Sequence, residues 1–371
     1  MKYYIIAGEA SGDLHGSNLI TELKKLDAQA SIRCWGGDKM KLAGGDLVKH
    51  YRDLAFMGFT EVLMNLRTIL RNLKWCKEDI LQFKPDTLVL IDYPGFNLRI
   101  AKWAKRQGLK VIFYISPQVW AWKENRVPSM KRCIDKMIVI LPFEKQYFKE
   151  KWNWDVEYVG HPLVEVIERY RAKSNPEKIS DRPLIALLPG SRKQEIVKKL
   201  PVMLGLTNEF PEYQFVVAQA PALDESFYKL FTDRYPNVSL AKDKTYDVLA
   251  QSQAALVTSG TATLETALFG VPEVVCYKGS PLSYQIARRV IKVKYISLVN
   301  LIMGKLVVKE LIQHDLTVAN LKKELNELLH SNERIARLKN DYADLHDLLS
   351  AGGHASAKAA RSIVSYLTSA T

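Results

Sequence analysis

Cysteine is scarce in this chain, and its few thiols are not spaced for shared chemistry. The 371 residues include four cysteines, Cys34, Cys76, Cys133 and Cys276, with no CxxC pair. This pattern argues against a disulfide framework and against a zinc site. Apolar runs never approach the roughly 20 residues that span a bilayer, and the N-terminus lacks the apolar stretch and cleavage site of a signal peptide. We therefore expect a cytoplasmic protein with buried thiols.

Acidic residues are absent from one long segment. No carboxylate lies between Val274 and Lys309, and the basic residues there are Lys278, Arg288, Arg289, Lys292, Lys294, Lys305 and Lys309. The whole chain carries a formal net charge of +13, which is typical of proteins with anionic partners such as nucleic acid, a lipid surface or phosphorylated substrates. The sequence has no DxD motif and no Walker lysine, so we expect neither a metal nor a P-loop nucleotide site.

Alternating apolar strands and amphipathic helices run through both halves of the chain. At 47% hydrophobic and 25% charged residues, the composition is typical of a globular α/β protein with parallel sheets. A polar stretch near 171–183 indicates a boundary between a domain at 1–165 and a domain at 180–350. The apolar last helix, about 353–371, is predicted to pack back on the first domain.

The stretch 254–276 has the pattern of a strand, a helix and a second strand. Ser259, Gly260 and Thr261 form the first turn, where free N–H groups and the helix dipole favour a phosphate. Glu265 lies one helical turn further on and suits the hydroxyls of a ribose. The alternative is that Ser259 or Thr261 caps the helix and Glu265 is surface charge.

A second turn in the same half has similar chemistry. Gly190 and Ser191 follow an apolar strand and leave N–H groups exposed, and Arg192 supplies a guanidinium suited to phosphate oxygens. Two such turns in one domain indicate a diphosphate ligand.

The first strand is followed by GEASGD at residues 8–13. This turn lacks the GxGxxG spacing of a phosphate loop and carries the acids Glu9 and Asp13, which suit hydrogen bonds to hydroxyl groups. The alternative is a structural turn in which Asp13 caps the next helix.

Asp92 ends another apolar strand and is followed by a proline and glycine turn. An acid at the carboxyl end of a parallel strand is well placed to accept a proton, although it could instead cap the turn. A later loop places Trp120 and Trp122 after a strand, where the rings could stack on a sugar or pack against acyl chains.

Residues 56–77 combine an apolar helix face with a basic stripe, and no acid occurs between Glu61 and Glu78. The pattern predicts contact with an anionic bilayer surface; the alternative is an ordinary helix with its apolar face in the core. The predicted membrane-contact residues are Phe56, Met57, Phe59, Leu66, Arg67, Leu70, Arg71 and Lys74.

Taken together, the motifs of this chain resemble those of the lipid-A-disaccharide synthases, glycosyltransferase family 19. The matching segments run in the family's order over nearly the full length: GEASGD, MGFTEVL (57–63), IDYPGFN (91–97), SPQVWAW (116–122), LPFEK (141–145), VGHPL (159–163), LPGSR (188–192), SGTATLE (259–265) and SLVNL (297–301). Tyr93, Gly95 and the missing proline of SLVNL depart from the usual pattern.

The resemblance implies a GT-B fold, in which two Rossmann-like domains face a central cleft. It implies inverting transfer of 2,3-diacylglucosamine from its UDP derivative to 2,3-diacylglucosamine 1-phosphate, without a cofactor or metal. The implied catalytic residues are Asp92, as the base, and Glu9. The donor side comprises Gly190, Ser191, Arg192, Ser259, Gly260, Thr261, Glu265 and Asn300; the acceptor side comprises Ser11, Gly12, Asp13 and Trp120.

The partners expected on this basis are the two acylated substrates and the anionic inner-membrane surface, with peripheral attachment and no nucleic acid. A homodimer is left open. Two alternatives also stay open: another GT-B enzyme acting on UDP-sugars, such as an epimerase, and a non-catalytic protein that binds an anionic membrane or nucleic acid. The second accounts for the positive charge but leaves Asp92, Arg192 and Glu265 unexplained.

Overall fold

The computed structural model describes residues 1–53, 66–173, 175–221, 223–280, 284–285, 289 and 293–369. The chain divides into two compact units, one made of Met1–Pro162 with Leu349–Thr371 and the other of Leu163–Leu348. In each unit, the described strands form one parallel sheet. The α/β class predicted from the alternating pattern is thereby confirmed.

The strands of the first unit are β1 (Lys2–Ala7), β2 (Ser31–Gly36), β3 (Asp46–His50), β4 (Thr87–Ile91), β5 (Lys110–Tyr114), β6 (Lys136–Val139) and β7 (Glu157–Tyr158). Their order in the sheet is β3-β2-β1-β4-β5-β6-β7. The helices are α1 (Ala10–Leu26), α2 (Asp38–Leu42), α3 (Leu66–Phe83), α4 (Pro94–Arg106), α5 (Val127–Cys133) and α6 (Pro142–Trp152). All five residues of β4 are buried, as expected for a central strand covered on both faces.

The strands of the second unit are β8 (Leu184–Leu188), β9 (Gln214–Gln219), β10 (Val238–Lys242), β11 (Ser252–Thr258), β12 (Glu273–Tyr277) and β13 (Lys309–Ile312), in the order β10-β9-β8-β11-β12-β13. The helices are α7 (Pro162–Lys173), α8 (Lys193–Leu204), α9 (Glu225–Thr232), α10 (Thr245–Gln251), α11 (Thr261–Leu268), α12 (Leu298–Met303), α13 (Val318–His330) and α14 (Asn332–Ser350). Pro162 of α7 and the last two residues of α14 are assigned to the first unit. α8 ends at Leu204 and is followed by a short 3-10 turn, Thr207–Glu209.

The last helix, α15 (Ala355–Ser369), packs against α1. Ala359 and Ile363 on its inner face are fully buried, and Lys358 Nζ donates to the carbonyl oxygen of Tyr158 at 3.0 Å. The turn before it passes very close to the sheet, because a Cβ on Gly352 would lie 2.3 Å from the backbone nitrogen of Gly160. The first unit is therefore built from two separate parts of the chain.

Candidate functional site

Three neighbouring strands of the first unit end at one edge of the sheet. β1 pairs with β4 and β4 with β5, so that Ala7, Ile91 and Tyr114 lie side by side. The turns that follow these strands therefore meet at the carboxyl edge, where ligands of parallel sheets bind. The turns after β1 and β4 lie close together, since a Cβ on Gly8 would lie 2.2 Å from the Tyr93 ring.

Asp92 stands at this edge on a strained backbone. Asp92 and Tyr93 have φ values of 44° and 48°, a left-handed conformation that costs a non-glycine residue roughly 1–2 kcal/mol. Asn97 holds the turn, because its Nδ2 donates to the carbonyl oxygens of Asp92 at 2.8 Å and Ile91 at 3.1 Å. Such strain is often found at functional sites.

The surroundings of Asp92 suit a proton acceptor. Burial, followed by the negative charge of Glu9, raises the pKa of Asp92 to about 7. Glu9 is the N-cap residue of α1 and has an extended backbone. A carboxylate that takes up a proton near neutral pH is matched to general base catalysis.

Glu144 is a third acid of this region, to which the sequence analysis assigned no role. It lies in the first turn of α6, is almost fully buried, and accepts hydrogen bonds from the Leu141 backbone N–H at 3.0 Å and from Trp120 Nε1 at 3.2 Å. Burial raises the pKa of Glu144 to about 8, against the lowering effect of those hydrogen bonds, and the charge of Asp92 also raises it. Glu144 thereby orients Trp120. The LPFE segment, in which the Glu stands at the third helical position, was the available signal.

The predicted acceptor-side residues of α1 differ in accessibility. Ser11 is exposed, and Gly12 is buried where a Cβ would lie 3.1 Å from that of Ala7. Asp13 is buried, and its carboxylate accepts the backbone N–H groups of Gly37 at 2.7 Å and Met40 at 3.0 Å. Asp13 thus caps α2, a helix distant in sequence, rather than the helix that contains it.

In the second unit, the two predicted phosphate turns follow neighbouring strands. β8 pairs with β11, with Leu188 opposite Val257, so both turns lie at the carboxyl edge of this sheet. Gly190 has a φ of 119°, and a Cβ there would lie 2.4 Å from Glu195 Oε2. The exposed residues of the two turns are Ser191, Arg192, Gly260 and Thr261.

The remaining donor-side residues are tied to protein groups. Glu265 Oε1 accepts a hydrogen bond from the Tyr246 hydroxyl at 2.8 Å, and Ser259 Oγ donates to the Ile296 carbonyl at 2.8 Å. Asn300 is fully buried; its Oδ1 accepts from the backbone of Val307 at 2.8 Å and its Nδ2 donates to Glu310 at 2.9 Å. Asn300 therefore braces the segment before β13 in this conformation.

A buried lysine, which the motifs did not predict, lies on the helix that follows the Gly190 turn. Lys199 on α8 is 2% exposed. Burial lowers the pKa of Lys199 to about 8, while the charge of Glu195 opposes this shift and that of Arg192 adds to it. No pattern in the sequence predicts its burial, because lysine at this spacing is typical of a solvated helix face.

The basic and apolar surface predicted at 56–77 is described only in part. Phe56, Met57 and Phe59 lie outside the described residues, as does the side chain of Leu66. On α3, Leu73 is buried in the core, whereas Leu70 is 53% and Trp75 40% exposed. The exposed side also carries Arg67, Arg71 and Lys74. The apolar residues of α3 are thus divided between the core and the surface.

Among the described residues, no group of three or more His, Cys, Asp or Glu side chains could hold a metal ion. None of the described helices combines the length and apolar character that a membrane span requires.

The two α/β units, each with one parallel sheet, have the fold of GT-B proteins. Solved structures with this fold include UDP-GlcNAc 2-epimerase from Neisseria meningitidis bound to UDP-GlcNAc, with a TM-score of 0.68, 14% identity and 100% coverage of both chains. Another is the glycotransferase of kitacinnamycin, with a TM-score of 0.66, 15% identity and 99% coverage of both chains.

Sequence similarity assigns the family. Residues 3–364 match the model of the family described as Lipid-A-disaccharide synthetase. A lipid-A-disaccharide synthase of Syntrophus aciditrophicus (strain SB) is 41% identical over 95% of this chain and 94% of its own length, and one of Geobacter sulfurreducens is 38% identical over 94% and 93%. The chain belongs to the lipid-A-disaccharide synthase family, and it is a GT-B glycosyltransferase. The resemblance inferred from the motifs is confirmed.

Proposed function

We propose that the protein transfers a 2,3-diacylglucosamine unit from its UDP derivative to 2,3-diacylglucosamine 1-phosphate. The products are UDP and a β-1,6-linked disaccharide 1-phosphate. Membership of the family supports this activity. The observation that carries the proposal is Asp92, a strained acid at the carboxyl edge of the first sheet with a pKa of about 7.

The proposed reaction is an inverting displacement. Asp92 takes the proton of the acceptor 6-hydroxyl as its oxygen attacks the anomeric carbon of the donor, and the bond from that carbon to the UDP oxygen breaks. Inversion of the donor's α configuration yields the β linkage. Glu9 contributes by keeping the pKa of Asp92 high through its negative charge, after the larger effect of burial.

The departing UDP is proposed to bind the second unit. The exposed N–H groups of Ser191, Gly260 and Thr261, together with the Arg192 guanidinium, suit the diphosphate. Preorganised donors of this kind stabilise developing charge without a metal ion. Glu265, held by Tyr246, would accept hydrogen bonds from the ribose hydroxyls.

Peripheral attachment to the anionic inner-membrane surface, with the protein on the cytoplasmic side, completes the proposal. Its support is the exposed side of α3, where Leu70 and Trp75 lie beside Arg67, Arg71 and Lys74. Apolar side chains flanked by cations are typical of helices that lie in the lipid interface. Both substrates carry acyl chains, so such attachment would bring the protein to them.

The direct test is to incubate the purified protein with both acylated glucosamine substrates and to detect the disaccharide by mass spectrometry. We expect the product with the wild type and a loss of about 10²- to 10⁴-fold in turnover for Asp92→Asn, with UDP binding retained. A protein that leaves the acceptor unchanged and instead epimerises a UDP-sugar would refute the proposal, as would near-wild-type turnover of Asp92→Asn.

A further inference from the structure

A group of cations surrounds an exposed tryptophan close to the edge that carries Asp92. Trp122 is 45% exposed. Lys123 has a left-handed φ of 56° and holds its Nζ 4.0 Å from the centroid of the Trp122 ring. The Arg126 guanidinium carbon lies 6.0 Å from the same centroid. The ring thus gathers two cations on one short loop.

Arg99 joins this group from the neighbouring helix. α4 packs against α5, which directly follows Arg126. Burial lowers the pKa of Arg126 and the positive charge of Arg99 lowers it further; burial likewise lowers the pKa of Lys123, with a contribution from Arg126. Arg126 is therefore near enough to both Arg99 and Lys123 for their like charges to repel. We call Arg99, Lys123 and Arg126, together with Trp122, the Trp122 cluster.

The cluster has no acid of its own in the described part of the chain. Neither hydrogen bonds nor ion pairs join Arg99, Lys123 or Arg126 to a described carboxylate. Glu124 stands between two of them in sequence, but its carboxylate pairs with Lys151 at 2.5 Å and accepts from the Tyr147 hydroxyl at 2.7 Å. Like charges held together without a counter-charge destabilise the fold unless an anion binds them.

The position of the cluster relates it to the catalytic edge. Arg99 lies in the second turn of α4, the helix that begins immediately after Asp92 and Tyr93. The loop that bears Trp122 leaves the carboxyl end of β5, and β5 is the strand beside β4. Both parts of the cluster therefore extend from the same edge as Asp92.

We propose that the Trp122 cluster binds the phosphate monoester of the acylated-sugar acceptor. The inference rests on the proposed function and adds an acceptor-phosphate site to it. A phosphate monoester carries about two negative charges at neutral pH. It therefore matches a group of three cations better than a phosphodiester headgroup, which carries one negative charge. Guanidinium groups bind phosphate oxygens in pairs of hydrogen bonds. The exposed Trp122 ring offers a surface for the sugar face or the first acyl carbons.

The test compares Arg126→Gln with the wild type on two acceptors, 2,3-diacylglucosamine 1-phosphate and 2,3-diacylglucosamine without the phosphate. We expect the KM for the phosphorylated acceptor to rise by about tenfold or more, as for loss of a charge-assisted hydrogen bond. The KM for the other acceptor and that for the UDP-sugar should not change. Arg126→Lys should recover part of the effect, and Arg132→Gln, an exposed arginine on α5, is the matched control. Equal effects on both acceptors would overturn the proposal.

Two further measurements complete the test. One distinguishes the acceptor phosphate from a lipid headgroup, and the other tests phosphate binding separately from the proposed transferase activity. Sedimentation with phosphatidylglycerol vesicles should be the same for Arg126→Gln and the wild type; loss of vesicle binding with unchanged acceptor selectivity would assign the cluster to a lipid headgroup and overturn the proposal. Calorimetric titration with glucosamine 1-phosphate reports on the cluster without turnover. Binding that Arg126→Gln weakens supports the site even if the wild type forms no disaccharide, whereas equal binding by both proteins counts against it.

Discussion

The pKa of Asp92 gives a quantitative prediction for the pH dependence of activity. With a pKa of about 7, Asp92 is ionised in about a tenth of the molecules at pH 6 and in about nine tenths at pH 8. Because only the ionised carboxylate accepts a proton, kcat/KM should rise about tenfold between these values. An aspartate at the ordinary value of 3.8 would change by only about 1% over that range. The assay is disaccharide formation at subsaturating acceptor in buffers from pH 5 to 9.

Substitutions of the neighbouring acids test whether the rise of kcat/KM with pH is due to Asp92. In Glu9→Gln the negative charge that helps to raise the pKa of Asp92 is gone, so the midpoint of the kcat/KM profile should move to lower pH. Because burial is the larger cause of the raised pKa, this midpoint should stay above 3.8. Glu144→Gln is the control, because the pKa of Glu144 is about 8 and it could produce a similar rise. A midpoint that vanishes in Glu144→Gln but does not move in Glu9→Gln would refute the assignment, as would a flat wild-type profile.

Three further predictions concern binding and stability. Gly190→Ala should raise the KM for the UDP-sugar at least about tenfold, because alanine is strained at a φ of 119° and its Cβ would lie 2.4 Å from Glu195 Oε2, so that the turn has to shift; an unchanged KM would count against a phosphate role for this turn. Asp13→Ala leaves the first N–H groups of α2 unpaired and should lower the free energy of unfolding by about 1–2 kcal/mol, as measured in urea; no change would show that α2 does not need this cap. Combining Leu70→Ser with Arg71→Gln should weaken binding to anionic vesicles about tenfold or more, while the exposed Leu230→Ser serves as the control; equal binding by both variants would argue against α3 as the attachment surface.

Most of the fold could be predicted because its central strands are unbroken apolar runs. Two strands at the edges of the sheets, β3 and β13, lack such runs. β3 has the sequence DLVKH and no buried residue, and β13 is a four-residue strand that contains a lysine and a glutamate. Edge strands bury little surface and often carry charged residues that prevent aggregation, so they lack the apolar pattern by which a central strand is predicted.

The position of a candidate site residue could be predicted where it follows from a strand or turn, whereas its role stays a prediction. Asp92 and Gly190 are of this kind, because Asp92 directly follows the buried strand β4 and Gly190 stands two residues after the buried strand β8. Glu144 and Lys199 are not: Glu144 holds Trp120, which is 24 residues away in sequence, and the pKa of Lys199 is lowered mainly by burial within the folded unit. Asp13 shows the same limit: its partner is the N-terminus of α2, 24 residues away at Gly37, and local sequence indicated only its own helix.

The return of α15 to the first unit affects the order in which a newly synthesised chain can fold. The ribosome delivers residues 1–162 first, but the helix that covers α1 comes from 355–369. The second unit has its complete sequence before the first does, so the part that carries Asp92 should be the last to mature, with its α1 surface open to chaperones until α15 has been synthesised. Deletion of α15 would accordingly damage the first unit, against which it packs, rather than the second unit, which precedes it in sequence.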